Sequence, residues 1–574
     1  MDRGAAERAA DGGRAPGRAP PEDDNKEAIE GKPSSVPLLS ASRTGRSTNL
    51  VAIAVSTALP ITGGWTMGMG LGNIGGIVES PIFKQTYDDP SPMMVQVLVG
   101  GLPLGAIIGS MFAGSLTDAF GRRIACMSCS LLMILGGLSL FLPCFTKVSL
   151  FVLFAGRFVV GLGTGIGYCA VYTVAAELSP ADYRGRVQTL VQVFTAVGIL
   201  TSYLINLAVF KTAPKLWCFS IAFQGVAALP MLGFAYFGPE SPRWLVMTGQ
   251  YTEAMSILRD ILRTSKDDVV EEINSMTAQI RGKSACNFRF VNSDGTSVKR
   301  FESVNGRPSG EKKMAQKSIA EFSSDISEAN SDLKVQEEPF NLIVNDTYDY
   351  EENDENVEDM EGTWRALCFR ENRCMATVSI MLNVFQLLSG IDVVTIYAPK
   401  IFAGSSKGED LSYNDSLFYT VIVGLAYVCA TPLATLTVDC VGRRALLLLG
   451  ATGMSLSMIG LSMGYASISF GPHMMLILVL LFVTTYSMSW GPIACAMASE
   501  LVRTPIRAKV NAAGTVFNWL ADYIVVSTYL SISSAFGDAA TFGIYAVVCI
   551  SAGIFTFLFV PETNGVPLDS DALG

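Results

Sequence analysis

Histidine is all but missing from this chain: His473 is the only one in 574 residues, and it reads as part of a short loop between apolar runs. A Ser-His-Asp triad needs imidazole as its base, and many metal sites need it as a ligand, so neither chemistry can be built in a buried cavity here. Charge is scarce too, at 16% of residues against about 25% in ordinary soluble domains. Basic excess is absent, the net charge being -10, so there is no electrostatic footprint for nucleic acid. The twelve cysteines make no disulfide framework, because most fall inside apolar runs. They are expected to pack as small apolar side chains. The pair Cys126 and Cys129 has no second Cys or His pair to complete a metal site, so no metal and no cofactor is expected.

What the chain has is apolar length. Half of its residues are hydrophobic and the mean hydropathy is +0.39, which places it in a lipid bilayer. Crossing a hydrocarbon core of about 30 Å takes roughly 20 helical residues. Twelve runs of that kind begin near Asn49, Met93, Arg123, Ser149, Val187, Leu216, Cys374, Asp415, Ala445, His473, Ala508 and Ala540. The predicted fold is an all-α membrane protein with twelve transmembrane helices.

The polar stretches divide it further. Residues 1–47 are rich in Arg, Gly, Pro and Ala and read as a disordered tail. The apolar run that follows is too long for a signal peptide. The first six spans occupy 48–238, a helical segment 239–281, a disordered acidic insert 282–361, the last six spans 362–560, and a short tail 561–574. From Asp346 to Glu361 there are nine acidic residues and no basic one.

Lys and Arg in short loops set the orientation. With alternating spans, Gly121 to Arg123 ("GRR"), Arg184 to Arg186 ("RGR"), Gly442 to Arg444 ("GRR"), Arg503, Arg507 and Lys509 share one side, expected to be the cytosol. Both termini and the insert are expected there as well. The opposite loops are short and hold scattered lysines such as Lys84, Lys147 and Lys407.

The halves repeat. "GSLTDAFGRR" after the second span matches "TLTVDCVGRR" after the eighth, with Asp118 and Asp439 before the Gly and paired Args. "ELSPADYR" after the fourth span matches "ELVRTPIR" after the tenth, with Glu and Arg seven apart in both. Internal repeats of six-span halves are a common way of building transporters. With "PESPRWL" after the sixth span, "GRFVVGLGTGIG" in the fourth and "PETNG" after the twelfth, the chain resembles the sugar porter family of the major facilitator superfamily, from about Asn49 to Gly565 outside the insert.

That resemblance implies two pseudo-symmetric six-helix halves and a secondary transporter for a sugar, polyol or inositol. It implies no enzyme, a monomer working in the bilayer, and a plasma-membrane location. It also implies a cytosolic latch that binds the halves together while the cavity faces outward, from Asp118, Arg122, Glu177, Arg184, Glu240, Arg243, Asp439, Arg443, Glu500 and Arg507. Exposed ion pairs are individually weak, on the order of 0–1 kcal/mol, so such a network can hold a state without freezing it.

By the same resemblance Gln192, Gln386 and Asn518 stand at solute-binding positions. A polyhydroxyl ligand needs amides and an aromatic face rather than a catalytic group. Other family positions are altered: Asp392 and Asp522 replace asparagines, Tyr427 an asparagine, and Cys495 a tryptophan. On the first span Thr66 stands where proton-coupled relatives carry an Asp, while its usual partner on the fourth span, Arg157, is kept. Asp392 and Asp522 are expected to face one cavity and to titrate as a coupled pair, or to accept a cationic solute. A nutrient sensor on the same fold and a transporter of cationic organic solutes are the alternatives. The insert's Ser, Asn, Asp and Glu bury too little apolar surface to be part of the transport machinery. Deleting residues 286–350 is therefore expected to leave solute binding by the purified protein unchanged, and loss of binding would refute this.

Overall fold

The structure, a computed structural model, describes residues 50–146, 148–179, 184–262, 266–281, 290–291, 341–342, 370–404, 412–466, 470–502 and 504–563. The expected tail 1–47 and most of 561–574 lie outside the described residues. So does the insert, apart from Phe290–Val291 (β1), which pairs antiparallel with Asn341–Leu342 (β2).

The first half consists of α1 (Leu50–Val78), α2 (Pro81–Thr86), α3 (Pro92–Phe120), α4 (Arg122–Phe141), α5 (Leu150–Leu178), α6 (Arg184–Thr212) and α7 (Trp217–Phe237). Three helices follow: α8 (Pro242–Thr248), α9 (Tyr251–Leu262) and α10 (Lys266–Arg281). They close over a small apolar cluster of their own that includes Leu245, Ala254, Leu258, Val269 and Ile273. The second half consists of α11 (Arg370–Leu388), α12 (Ile391–Gly404), α13 (Tyr413–Val441), α14 (Arg443–Ala466), α15 (Pro472–Met488), α16 (Trp490–Glu500) and α17 (Thr504–Phe559).

Ten helical segments among the described residues are long and apolar enough to cross a bilayer. One of them, Lys509–Phe559, has 51 residues and turns at Gly537, where φ is +84°, so it supplies two spans. The 29-residue α1, without a charged side chain, is the remaining one and brings the total to twelve. The halves repeat in packing as in sequence: α1 lies on α6, α3 on α5 and α4 on α7, while α11 lies on α17, α13 on α15 and α14 on α17.

Lipid gives helices no hydrophobic reason to associate, so close backbone approach does much of the work. Gly105 and Gly109 of α3 face Gly161 and Gly165 of α5. A Cβ at Gly105 would stand 2.2 Å from Phe158 O, and one at Gly161 would stand 2.1 Å from Leu102 O. Any larger residue on this seam forces the two helices apart.

The turns at 121–123 and 442–444 mark a basic face, and the other ends of the spans form the opposite face. There the halves meet. Tyr413 Oη donates to Gly76 O at 2.5 Å, joining α13 to α1. Ser531 Oγ donates to Gln96 Oε1 at 2.8 Å, joining α17 to α3. Pro399 cannot donate to the carbonyl four residues back, Thr395 O, and Tyr203 Oη of α6 donates to it instead at 2.7 Å.

Two expectations are corrected. The cysteines are not all packing residues: Cys144, just after α4, is disulfide-bonded to Cys218 at the start of α7. The bond ties two spans of one half together on the opposite face. His473 is not in a loop but in the first turn of α15, its Nδ1 3.2 Å from Tyr419 Oη. If the disulfide forms as described, maleimide labels Cys144 and Cys218 only after reduction, and reduced protein melts at a lower temperature. A linkage that closes a loop this long contributes typically about 2–4 kcal/mol. Labelling of both thiols without reductant would contradict it.

Candidate substrate site between the halves

Two spans of the second half are broken at mid-depth. Gly390, with φ +86°, separates α11 from α12, and Ser489, with φ -132° and ψ -86°, separates α15 from α16. Broken spans leave backbone carbonyls without helical partners, which is tolerated only where protein or a cavity satisfies them. Gln386, four residues before the first break, does so across to the second. Its Nε2 donates to Gly491 O at 2.7 Å and to Trp490 O at 3.3 Å. Trp490 is fully buried, and its Nε1 donates to Leu447 O on α14 at 2.9 Å, fixing the start of α16.

Around Gln386 the polar groups interlock. Asn518 Nδ2 of α17 donates to Gln386 Oε1 at 3.0 Å and to Asn383 O at 2.7 Å. Cys495 Sγ lies 3.4 Å from both Asn383 Oδ1 and Gln386 Oε1, so its one S–H can bond either. The first half presents rings to this group. Tyr168 Oη is 3.7 Å from Cys495 Sγ, and its ring meets Trp519 edge-on with centroids 5.9 Å apart. Trp519 Nε1 is buried with no hydrogen-bond partner. Gln192 is half-buried on α6, and no hydrogen bond to a described residue holds its amide.

Deeper on the same two spans, Asp392 of α12 and Asp522 of α17 are both buried, at 6% and 1% exposure, and lie within electrostatic reach of each other. Asp522 Oδ1 has no hydrogen-bond partner. Across the interface Arg157 of α5 is within electrostatic reach of Asp522. Its Nη1 donates to Asn73 Oδ1 at 3.0 Å and Gly70 O at 3.2 Å, while its Nε has no partner. Tyr427 of α13 faces Asp392, with its ring 6.5 Å from that of Tyr486. Thr66 stands apart from this group. Its Oγ1 lies 2.8 Å from Thr62 O and 2.9 Å from Ala227 O, within the seam between α1 and α7.

The sequence profile of a family described as "Sugar (and other) transporter" matches residues 57–304 and 327–571, most of the chain. The chain belongs to the sugar (and other) transporter family. It is 28% identical over 513 residues to putative polyol transporter 2 of Arabidopsis thaliana, covering 87% of this chain and 86% of that one. It is 26% identical over 546 residues to the D-xylose-proton symporter of Escherichia coli K12, covering 89% and 94%. Among solved structures it resembles the xylose transporter of E. coli in a partially occluded inward-open conformation, with TM-score 0.67 and 23% identity over 90% of this chain and all of that one. That likeness is one of fold: the major facilitator arrangement. The protein is a multi-pass membrane transporter, not an enzyme.

The basic face of the transporter shows how the repeated motifs act. Gly121, with φ +92°, ends α3, and Glu240 caps the next helix by accepting from Arg122 N at 2.9 Å and Arg123 N at 3.1 Å. Gly442, with φ +91°, ends α13, and Glu562 accepts from Arg443 N at 3.0 Å and Arg444 N at 3.1 Å. A Cβ at either glycine would stand within 2.8 Å of the capping carboxylate. Each half repeats the next contacts also. Arg122 Nε is 2.9 Å from Glu177, to which Ser241 Oγ donates, and Arg443 Nε is 3.4 Å from Glu500, to which Thr563 Oγ1 donates. Asp118 is 3.3 Å from Arg122 Nη1. These contacts of Asp118, Arg122, Glu177, Glu240, Arg443 and Glu500 lie within single halves. Arg243 lies in α8, and Arg507 donates to Val502 O at 3.1 Å. The side chains of Arg184 and Asp439 lie outside the described residues.

Three contributors escaped the sequence. Glu562 was visible only as part of "PETNG", Asn383 as an ordinary polar residue in a span, and Tyr168 as one aromatic among many. The pairing of "PES" with "PET" was the available signal for Glu562. Glu562→Ala removes the carboxylate cap from two helix-terminal amides and is expected to cost about 0.5–2 kcal/mol. Thermal unfolding in detergent would show this, with Glu562→Gln intermediate. An unchanged melting temperature would contradict the capping role.

Proposed function

We propose that this transporter carries a sugar or polyol across the plasma membrane as a monomer, by alternating access, with the basic face in the cytosol. The observation that carries the reading is the amide and ring cluster where two broken spans meet the other half: Gln386, Asn518, Asn383 and Cys495 on one side and Tyr168 on the other; Gln192 of α6 joins it by its family position alone. Each solute hydroxyl both donates and accepts, and amides match it in both senses. Aromatic faces take up the apolar C–H face of a sugar ring. The relatives named as a polyol transporter and a xylose symporter support the same chemical class.

The contacts of Tyr413, Tyr203 and Ser531 shut the opposite face, so the conformation seen is closed on that side. Moving solute requires those three bonds to break and the basic face to close. The charged residues of the latch, of which Asp118, Arg122, Glu177, Glu240, Arg443 and Glu500 are held within single halves, then supply weak inter-half pairs. A disulfide on the opposite face supports an oxidising exterior there and a reducing cytosol at the basic face.

Reconstituted protein is expected to exchange labelled solute for unlabelled solute of the same kind when tested with hexoses, pentoses and polyols. Gln192→Ala should raise the half-saturation concentration about tenfold, since a lost solute hydrogen bond costs on the order of 1–3 kcal/mol. Exchange of none of these solutes, or an unchanged half-saturation in Gln192→Ala, would contradict the reading.

A further inference from the structure

On the transport reading above, we infer that Tyr168 decides which solutes bind and how tightly: its hydroxyl occupies the place of a solute hydroxyl on Cys495, and a solute must displace it to reach the amides.

The amides are not free in this conformation. Gln386 Nε2 donates to Gly491 O and Trp490 O, and Gln386 Oε1 accepts from Asn518 Nδ2 at 3.0 Å. Asn383 Nδ2 donates to Ser379 O at 3.0 Å. Asn383, Gln386 and Asn518 are buried, at 7%, 5% and 5% exposure, whereas Cys495 and Tyr168 are only half-buried. The thiol and the phenol are therefore the groups that a solute meets first.

The thiol sets the direction of the bonds. Cys495 has one S–H, which donates to an amide oxygen, Asn383 Oδ1 or Gln386 Oε1, each 3.4 Å away. Its sulfur then has only an acceptor to offer Tyr168, so the phenol donates to it across 3.7 Å. A sugar or polyol hydroxyl can make the same donation. Sulfur is a weak acceptor, so the exchange costs little. A solute without a hydroxyl at this point breaks the bond and puts nothing in its place, and it is rejected.

The backbone beneath Tyr168 cannot retreat to make room. Three residues earlier, a Cβ at Gly165 would stand 2.2 Å from Ala106 O, so α5 is already seated on α3. The side chain must yield instead. Its ring keeps other partners when the hydroxyl lets go: Tyr172, one turn along α5, with ring centroids 5.0 Å apart, and Trp519 of α17, edge-on. The displaced donor belongs to the first half and its acceptor to the second. An occupied site thus replaces a bond between the halves by one between the second half and the solute.

The test uses full-length protein in proteoliposomes with the hexose, pentose or polyol that it exchanges, D-glucose, D-xylose and D-sorbitol being tried first. Tyr168→Phe keeps the ring and removes the competing hydroxyl. Its half-saturation concentration should fall about threefold to tenfold, the worth of one hydrogen bond that the solute no longer has to break. A substitution that only loosened packing would not tighten binding. Wild-type protein gives a second reading that needs no variant. Alkylation of Cys495 by N-ethylmaleimide, followed by mass spectrometry of the peptide that carries it, should slow severalfold at saturating solute, because solute then covers the sulfur. An unchanged or higher half-saturation in folded Tyr168→Phe overturns the inference, as does Cys495 labelling that ignores a solute the protein exchanges, and both leave the transport reading in place. Absence of exchange with every hexose, pentose and polyol overturns the transport reading and this inference together.

Discussion

Inside a bilayer a polar atom has no water to bond, and that constraint organises this molecule. Each span must satisfy its own backbone, and each side chain that carries an N–H or O–H must find a partner on a neighbouring helix. Most do. Asn73 donates to Ile221 O at 3.3 Å while accepting from Arg157 and, through its carbonyl, from Asn206. Where a rule of helix geometry is broken, a side chain repairs it: Tyr203 at Thr395 O, Gln386 at Gly491 O. Several of the buried polar atoms left without partners, Arg157 Nε, Trp519 Nε1 and Asp522 Oδ1, lie where the halves face each other. A transporter needs unsatisfied bonding capacity where its halves separate, and these three atoms supply it there, while Ser179 Oγ, Gln224 Oε1 and Arg444 Nε are also unpartnered.

The basic face shows the same logic in water. A glycine with positive φ ends one span, and the next begins at once, with its first amides pointing at a carboxylate from a distant part of the chain. Glu240 and Glu562 serve the two halves identically, and Ser241 and Thr563 extend each cap to Glu177 and Glu500. Binding a helix start to a segment more than a hundred residues away makes each half a unit. Rigid halves are what allow motion to be confined to the surface between them.

Much of this was legible in the sequence because it depends on local pattern. Span starts fall within a few residues of the observed helices, since apolar length and flanking Arg and Pro define them. The two halves could be seen from the charges of "GRR" and "ELSPADYR" alone. What could not be read depends on contacts distant in sequence. Cys144 and Cys218 are 74 residues apart at the ends of different spans, and nothing in their neighbourhoods pairs them. Thr66 matched a family position, but only the structure shows its hydroxyl in the α1–α7 seam. Asn383 is one turn before Gln386 on α11 and would join the site list from helical spacing, had the break at Gly390 been located.

The account stands on two rigid units that close alternately on either face. Distances between spin labels measure this directly. One pair, at Lys211 and Asn414, is exposed on the opposite face with one label in each half, and a second, at Met247 of α8 and Cys440 of the second half, is exposed on the basic face. On adding a transported solute across a range of pH, the first distance should lengthen as the second shortens, with the two changes in proportion. If only one distance changes, or both change in the same sense, the halves do not rock about a central site and the account fails.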